Sequence, residues 1–204
     1  MPSRDEIVER YAGAAPTQWG LEVDGVVLRS SSDAVALTLD ACGGPNGSGI
    51  DQELIDFLLA EQIPATLFLN GRWIEANPNA TRRLVEQELF CIGNHGTRHV
   101  PLSVTGQVAY GIPGTDTVAE VYDEIMGNQE TLTELLGAAP TFFRPGTAFF
   151  DEVAAQIVRD LGLIPVNFDI NADAGATFSA AQMQRATSQA TAGSIIIGHF
   201  NRPD

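Results

Sequence analysis

The chain has 204 residues, enough for one domain with a sizeable core and too few for two comfortable ones. Its 26 acidic residues against 11 basic ones, all arginine, give a net charge of −15, which argues against nucleic acid or an anionic membrane as partner. The charged opening Ser3-Arg4-Asp5-Glu6 is followed by no apolar run, so neither a secretory signal nor a membrane span is expected in this chain.

Residues 1–33 read as a polar lead-in, with residues 25–28 as a short strand at one end of the core, and residues 34–204 as the domain proper. The run 34–39, Ala-Val-Ala-Leu-Thr-Leu, predicts a strand buried on both faces, ending on Asp40 and a glycine-rich loop that includes Cys42. Ser48 and Asp51 fit a capping box for a helix with Leu54, Ile55, Leu58 and Leu59 on its apolar face. A second strand follows at 65–69, and Asn77-Pro78 opens a helix to about residue 87. A third apolar run, 89–92, breaks at Gly93-Asn94 and delivers His95 and His99, two of the three histidines. Cys42 and Cys91 read as small buried hydrophobes or, alternatively, as a disulfide.

Residues 100–115 form a long irregular stretch, read as a wall of the site. Beyond it the spacing predicts helices at 117–136, 151–161 and 179–190 and strands at 141–143, 164–168 and 194–198, the last of which delivers His199. Strands and helices alternating at this spacing argue for parallel pairing with right-handed crossovers. The strand carboxyl ends then carry Asp40, His95 with His99, Arg144, Asp169 with Asp173, and His199. A parallel sheet would bring all of these to one face. His-x-x-x-His suits a single divalent ion, and the remaining groups supply an acid, a base and a fixed cation, the components a hydrolase needs.

Five segments carry a family resemblance, in order: Thr38-Leu39-Asp40-Ala41-Cys42-Gly43-Gly44, His95-Gly96-Thr97-Arg98-His99, Phe143-Arg144-Pro145-Gly146-Thr147, Asp169-Ile170-Asn171-Ala172-Asp173 and Ile196-Ile197-Gly198-His199. The chain resembles the polysaccharide deacetylase family (carbohydrate esterase family 4), whose members remove acetyl groups from chitin, peptidoglycan or xylan. The resemblance implies an α/β fold, an irregular (β/α) barrel, and a carbohydrate substrate. It implies that Asp40 is the general base, held by Arg144, and that His95 and His99 bind a divalent metal, usually zinc. It further implies His199 as general acid with Asp173 behind it, and the backbone N–H of Thr147 as an oxyanion donor. Family habit also suggests an extracellular or periplasmic location.

Three departures accompany the resemblance. Ala41 stands where the family places a second aspartate, the third metal ligand, and a methyl group cannot bind zinc. The alternatives are that Asp40 itself ligates and another group serves as base, that the Cys42 thiolate or water fills the position, or that the metal is weakly held or absent. Ala174 stands where a tryptophan often backs the general acid; Phe149 or Phe150 could replace that wall, although core packing is the simpler reading. The chain stops at Asp204, just past the fifth motif, so the barrel is expected to be incomplete at its C-terminal end. Trp73 and Tyr110 are further candidates, for stacking on a sugar ring. The leading function is a metal-dependent deacetylase of N-acetylated glycan. The alternatives are a hydrolase of a small non-peptide amide and a glycan-binding protein that has lost its metal.

Overall fold

A computed structural model describes residues 1–202. Its helices are α1 (Arg4–Arg10), α2 (Gln52–Ala60), α3 (Gly71–Ala76), α4 (Pro78–Val85), α5 (Val118–Leu136), α6 (Glu152–Asp160) and α7 (Ala180–Thr187). The strands are β1 (Trp19–Gly20), β2 (Ala36–Ala41), β3 (Ala65–Leu69), β4 (Phe90–Asn94), β5 (Val108–Ala109), β6 (Ile112–Pro113), β7 (Phe142–Phe143), β8 (Phe150–Asp151), β9 (Ile164–Pro165), β10 (Ile170–Asn171) and β11 (Ile195–His199). Seven strands form one curled parallel sheet in the order β10-β11-β2-β3-β4-β7-β9, the expected (β/α) barrel left open between β10 and β9. Asp204, on which the expected incompleteness turned, lies outside the described residues.

Alternation along the strands sorts the core into an outer and an inner layer. Outward-facing Leu39, Leu67 and Leu69 pack with Ile55 and Leu58 of α2 and Trp73 of α3 in one apolar cluster. Phe68 and Val166 pack with Ile195 in a smaller cluster. Phe68 also lies beneath the Arg144 guanidinium, 4.3 Å from ring centroid to Cζ. A third cluster joins Ile7 of α1 to Ile125 of α5, Ile157 of α6, and Phe143 and Phe150.

Several elements differ from their expected form. The lead-in is packed: Ile7 is buried, Arg4 pairs with Asp123 at 2.8 Å, and β1 pairs antiparallel with β8. In place of a strand at 25–28 there are single bridges, Val27 to Val166 and Arg29 to Ser194. Asp51 alone caps α2, its carboxylate accepting from Leu54 N–H at 2.9 Å, while the Ser48 hydroxyl donates to the Gly44 carbonyl. Helix α3 was not expected; Asn70 caps it by accepting from Arg72 N–H, and at six residues it is too short to show a periodic apolar stripe. Residues 100–115 contain a small hairpin, β5 to β6, whose two-residue turn Tyr110-Gly111 has positive φ at both positions, as a type I′ turn requires. Both cysteines are free, and Cys91 is exposed rather than buried.

Candidate active site

The parallel register lines the catalytic candidates along one edge of the sheet, with His199 of β11 directly beside Asp40 of β2. Thr38, Asp40 and Cys42 alternate onto the barrel's inner face. There Thr38 and Asp40 both accept from the Arg144 guanidinium, at 2.9 and 2.7 Å. Ala41 points the other way, buried among the apolar side chains that pack α2 and α3 against the sheet.

Arg144 has no exposed surface, and two more of its N–H groups donate to the carbonyls of Val166 and Asn167, each at 3.1 Å. A guanidinium so fully engaged is a fixed positive charge. Burial by itself would push the Asp40 carboxyl up; Arg144, with His95 and His199, outweighs it and holds Asp40 below the ordinary carboxylate value. The second Asp40 oxygen lies 3.6 Å from His95 Nε2.

His95 is buried, and its Nδ1 lies 2.9 Å from the Arg144 carbonyl, a geometry that puts the proton on Nδ1 and leaves the Nε2 lone pair facing the cavity. His99 adopts φ +62°, a left-handed conformation that non-glycine residues enter only under local constraint. That constraint has two visible parts. On one side, buried Glu124 of α5 accepts from the N–H groups of Thr97, Arg98 and His99 at 3.0 to 3.1 Å. On the other side, Gly146 abuts the His99 backbone so closely that an added Cβ would lie 2.2 Å from the His99 carbonyl carbon. Gly146→Ala is therefore expected to cost about 3 kcal/mol in stability and to displace His99, a loss that urea denaturation would measure. Glu124→Gln would set an amide N–H₂ against the N–H of Arg98, with an expected loss of about 1–3 kcal/mol in the same assay.

Cys42 Sγ lies 4.0 Å from His95 Nε2, and one ligand atom each from Cys42, His95 and His99 lies within 4.8 Å of the others. Burial disfavours the Cys42 thiolate, but His199, His95 and His99 outweigh it and bring the thiol well below its ordinary value. Two imidazoles and a thiol this close, with the cavity open beside them, suit a divalent ion with three protein ligands and one free position.

His199 Nδ1 lies 2.9 Å from Asp173 Oδ1, and the other Asp173 oxygen accepts the His199 backbone N–H at 2.7 Å. Burial acts against the imidazolium, but Asp173 overrides it, with Cys42 and Asp40 adding to the effect, and the His199 pKa rises to about 10. Asp173 in turn is held below its ordinary value: burial opposes this, and His199 outweighs it.

Asp40, Cys42, His95, His99, Thr147 and His199 all line one cavity of about 620 Å³. Thr147 sits in a tight turn at φ +70°, its hydroxyl buried with no hydrogen-bond partner among the described residues. Tyr110 stands at the rim, 76% exposed and edge-on to Phe149, so the hairpin flanks the cavity without closing it. Other assignments fall elsewhere. Asp169 is not brought to the cavity; its carboxylate is taken by Arg29, Ser194 and the N–H of Ile195. Trp73 is fully buried, with its indole N–H on the Gly49 carbonyl, so it cannot stack on a sugar. Phe150 is core, and Phe149 packs between Trp19 and Tyr110; the apolar wall comes instead from Phe168, Ile197 and Leu21. The sequence reading missed Phe168 and Glu124. The first is placed one residue before the fourth motif, and the second begins a buried polar row with Asn128 and Gln129 inside the apolar face of α5.

Among the described residues no helix is long and apolar enough to cross a membrane. The chain is 24% identical over 180 residues to a peptidoglycan-N-acetylglucosamine deacetylase of Listeria monocytogenes, covering 88% of this chain and 35% of that protein. It is 29% identical over 155 residues to a chitin deacetylase of Pestalotiopsis sp, covering 70% of this chain and 48% of that one. It thus spans about a third to a half of the length of these relatives. Among solved structures, a carbohydrate esterase family 4 pseudoenzyme from Bacillus anthracis superposes with a TM-score of 0.70 at 18% identity, covering 87% of this chain and 59% of that one. Residues 28–166 match the family described as polysaccharide deacetylase, two-thirds of the sequence and the first three of the five motif segments, and the chain belongs to that family.

Proposed function

We propose that the chain is a metal-dependent deacetylase of N-acetylated glycan of the chitin or peptidoglycan type. The observation that carries this reading is the pair of opposed proton-transfer groups on one cavity: Asp40, kept ionised by Arg144, and His199, kept protonated by Asp173. A mere binding site has no need of both. His95 and His99 would hold the divalent ion, which when bound polarises the acetamide carbonyl and favours ionisation of water.

Asp40 accepts the proton of the attacking water as its oxygen bonds to the carbonyl carbon. The Thr147 N–H donates to the developing oxyanion. His199 then gives its proton to the departing amine as the C–N bond breaks, which leaves acetate and a free amino sugar. Asp173 fixes the donating nitrogen as Nε2 by accepting a hydrogen bond from Nδ1–H. The exposed position of Tyr110 supports an extended glycan over a small enclosed amide, because the rim is left open.

The test is acetate release from chitin oligomers and peptidoglycan fragments by metal-stripped protein, with and without zinc. Zinc-dependent release is expected, falling below detection in His95→Ala. Ala41 favours a second reading, a glycan-binding protein without catalysis, which predicts retention on immobilised glycan with no acetate released under either condition.

A further inference from the structure

We propose that Cys42 is the third protein ligand of the metal site, giving this chain a Cys-His-His centre in place of the family's carboxylate and two histidines. The inference rests on the metal-site part of the proposed function and adds what fills the position that Ala41 vacates. The Ala41 methyl offers no donor and packs into the apolar cluster behind the sheet. Cys42 is one residue further and on the inner face, where Asp40 already points.

Three observations support the assignment. First, the three donors are grouped closely enough to draw onto one ion: they lie within 4.8 Å of one another, and donors around a tetrahedral zinc, with nitrogen at ~2.0–2.1 Å and sulfur at ~2.3 Å, lie ~3.3–3.6 Å apart. The 4.0 Å from Cys42 Sγ to His95 Nε2 closes to that by a few tenths of an ångström. Second, the backbone around Cys42 is fixed. Asn70 N–H donates to the Ala41 carbonyl at 3.0 Å, and Gly43 N–H donates to the Gly47 carbonyl at 2.8 Å. Gly43 also lies so close to α3 that a Cβ there would come within 2.6 Å of Trp73 N. Third, Asp40 spends one oxygen on Arg144 at 2.7 Å, so the single oxygen it has left can serve as the base only if another group completes the metal's ligand set.

A thiolate with two imidazoles selects borderline-soft ions such as Zn²⁺ or Co²⁺ over Mg²⁺ or Ca²⁺. Binding forms a metal–sulfur bond in place of the S–H bond and passes the thiol proton to solvent, so uptake of one ion releases up to one proton at this residue.

The experiment loads metal-stripped full-length chain with Co²⁺ and records its near-ultraviolet and visible absorption beside Cys42→Ser, Cys42→Asp and Cys91→Ser. A thiolate-to-cobalt charge-transfer band is expected in the parent and in Cys91→Ser. It should be absent from both Cys42 variants. Cys42→Asp should still bind cobalt, which shows that the fold survives, and Cys42→Ser should bind about 100-fold more weakly, the least that loss of a direct ligand would cost when loss of a supporting group already costs that much. Cobalt absorption without a thiolate band in the parent would overturn the proposal and point to Asp40 as the third ligand. So would absence of cobalt binding, or a band that survives in Cys42→Ser. None of these readings uses acetate release. A chain that shows the band yet releases no acetate would overturn the deacetylase reading and leave the Cys42 assignment standing.

Discussion

Asp40→Asn is expected to lower acetate release by a factor of about 10²–10⁴, the usual contribution of a positioned general base, and at the same time to destabilise the fold by about 3–5 kcal/mol. The second effect follows from Arg144, which is fully buried and would keep its charge with no anion beside it. Urea denaturation would read the stability and an acetate assay the rate. A double-mutant cycle with Arg144→Met separates the two roles. If the ions stabilise one another, the double variant loses less than the sum of the single ones, by about 1–3 kcal/mol. Its activity stays at the level of Asp40→Asn, because no base has been restored. Stability losses that simply add would mean that the two groups do not hold each other, and the electrostatic account of Asp40 would fall.

What the sequence disclosed, and what it hid, follows from the range of the interactions concerned. Asp40, His95, Arg144 and His199 were legible because each follows an apolar run, and parallel pairing puts strand ends on one edge without reference to any other contact. The identity of the face was harder. Cys42 could be placed on the inner side only once β2 was seen to extend to Ala41, two residues beyond the expected strand, so that its alternation continues into the loop. Asp169 and Asp173 look alike in sequence, four residues apart in one motif. They part company because Arg29, 140 residues away along the chain, claims the first and leaves the second to His199. Trp73 misled for the opposite reason: an aromatic near a predicted site is ambiguous until the unexpected α3 carries it into the core. The lead-in appeared polar because α1 buries only Ile7, one apolar residue in a charged segment.

Asp173→Asn should have the other large effect, visible first as a change in pH dependence. In the parent protein Asp173, with Cys42 and Asp40 adding to it, raises the His199 pKa to about 10 against the effect of burial, so the proposed general acid stays protonated throughout the neutral range and the alkaline limb of the rate profile lies high. Asparagine can still accept a hydrogen bond from Nδ1–H, which keeps the ring in place but removes the negative charge. The limb should therefore fall toward the ordinary imidazole value of about 6.5, and the rate at pH 8 should drop by up to about 30-fold, the loss of protonated acid that such a shift brings. Stability follows the same pair. The raised His199 pKa contributes stability that is complete below about 6.5 and is lost as pH climbs through 10. The lowered Asp173 pKa contributes stability present above about 3.9 and lost as pH falls through its depressed folded value. The difference in unfolding free energy between parent and Asp173→Asn should thus be largest between about pH 4 and 6.5 and shrink on both sides. An alkaline limb unmoved by the substitution would show that His199 is not the group donating the proton, and the assignment of general acid would have to pass to another residue of the cavity.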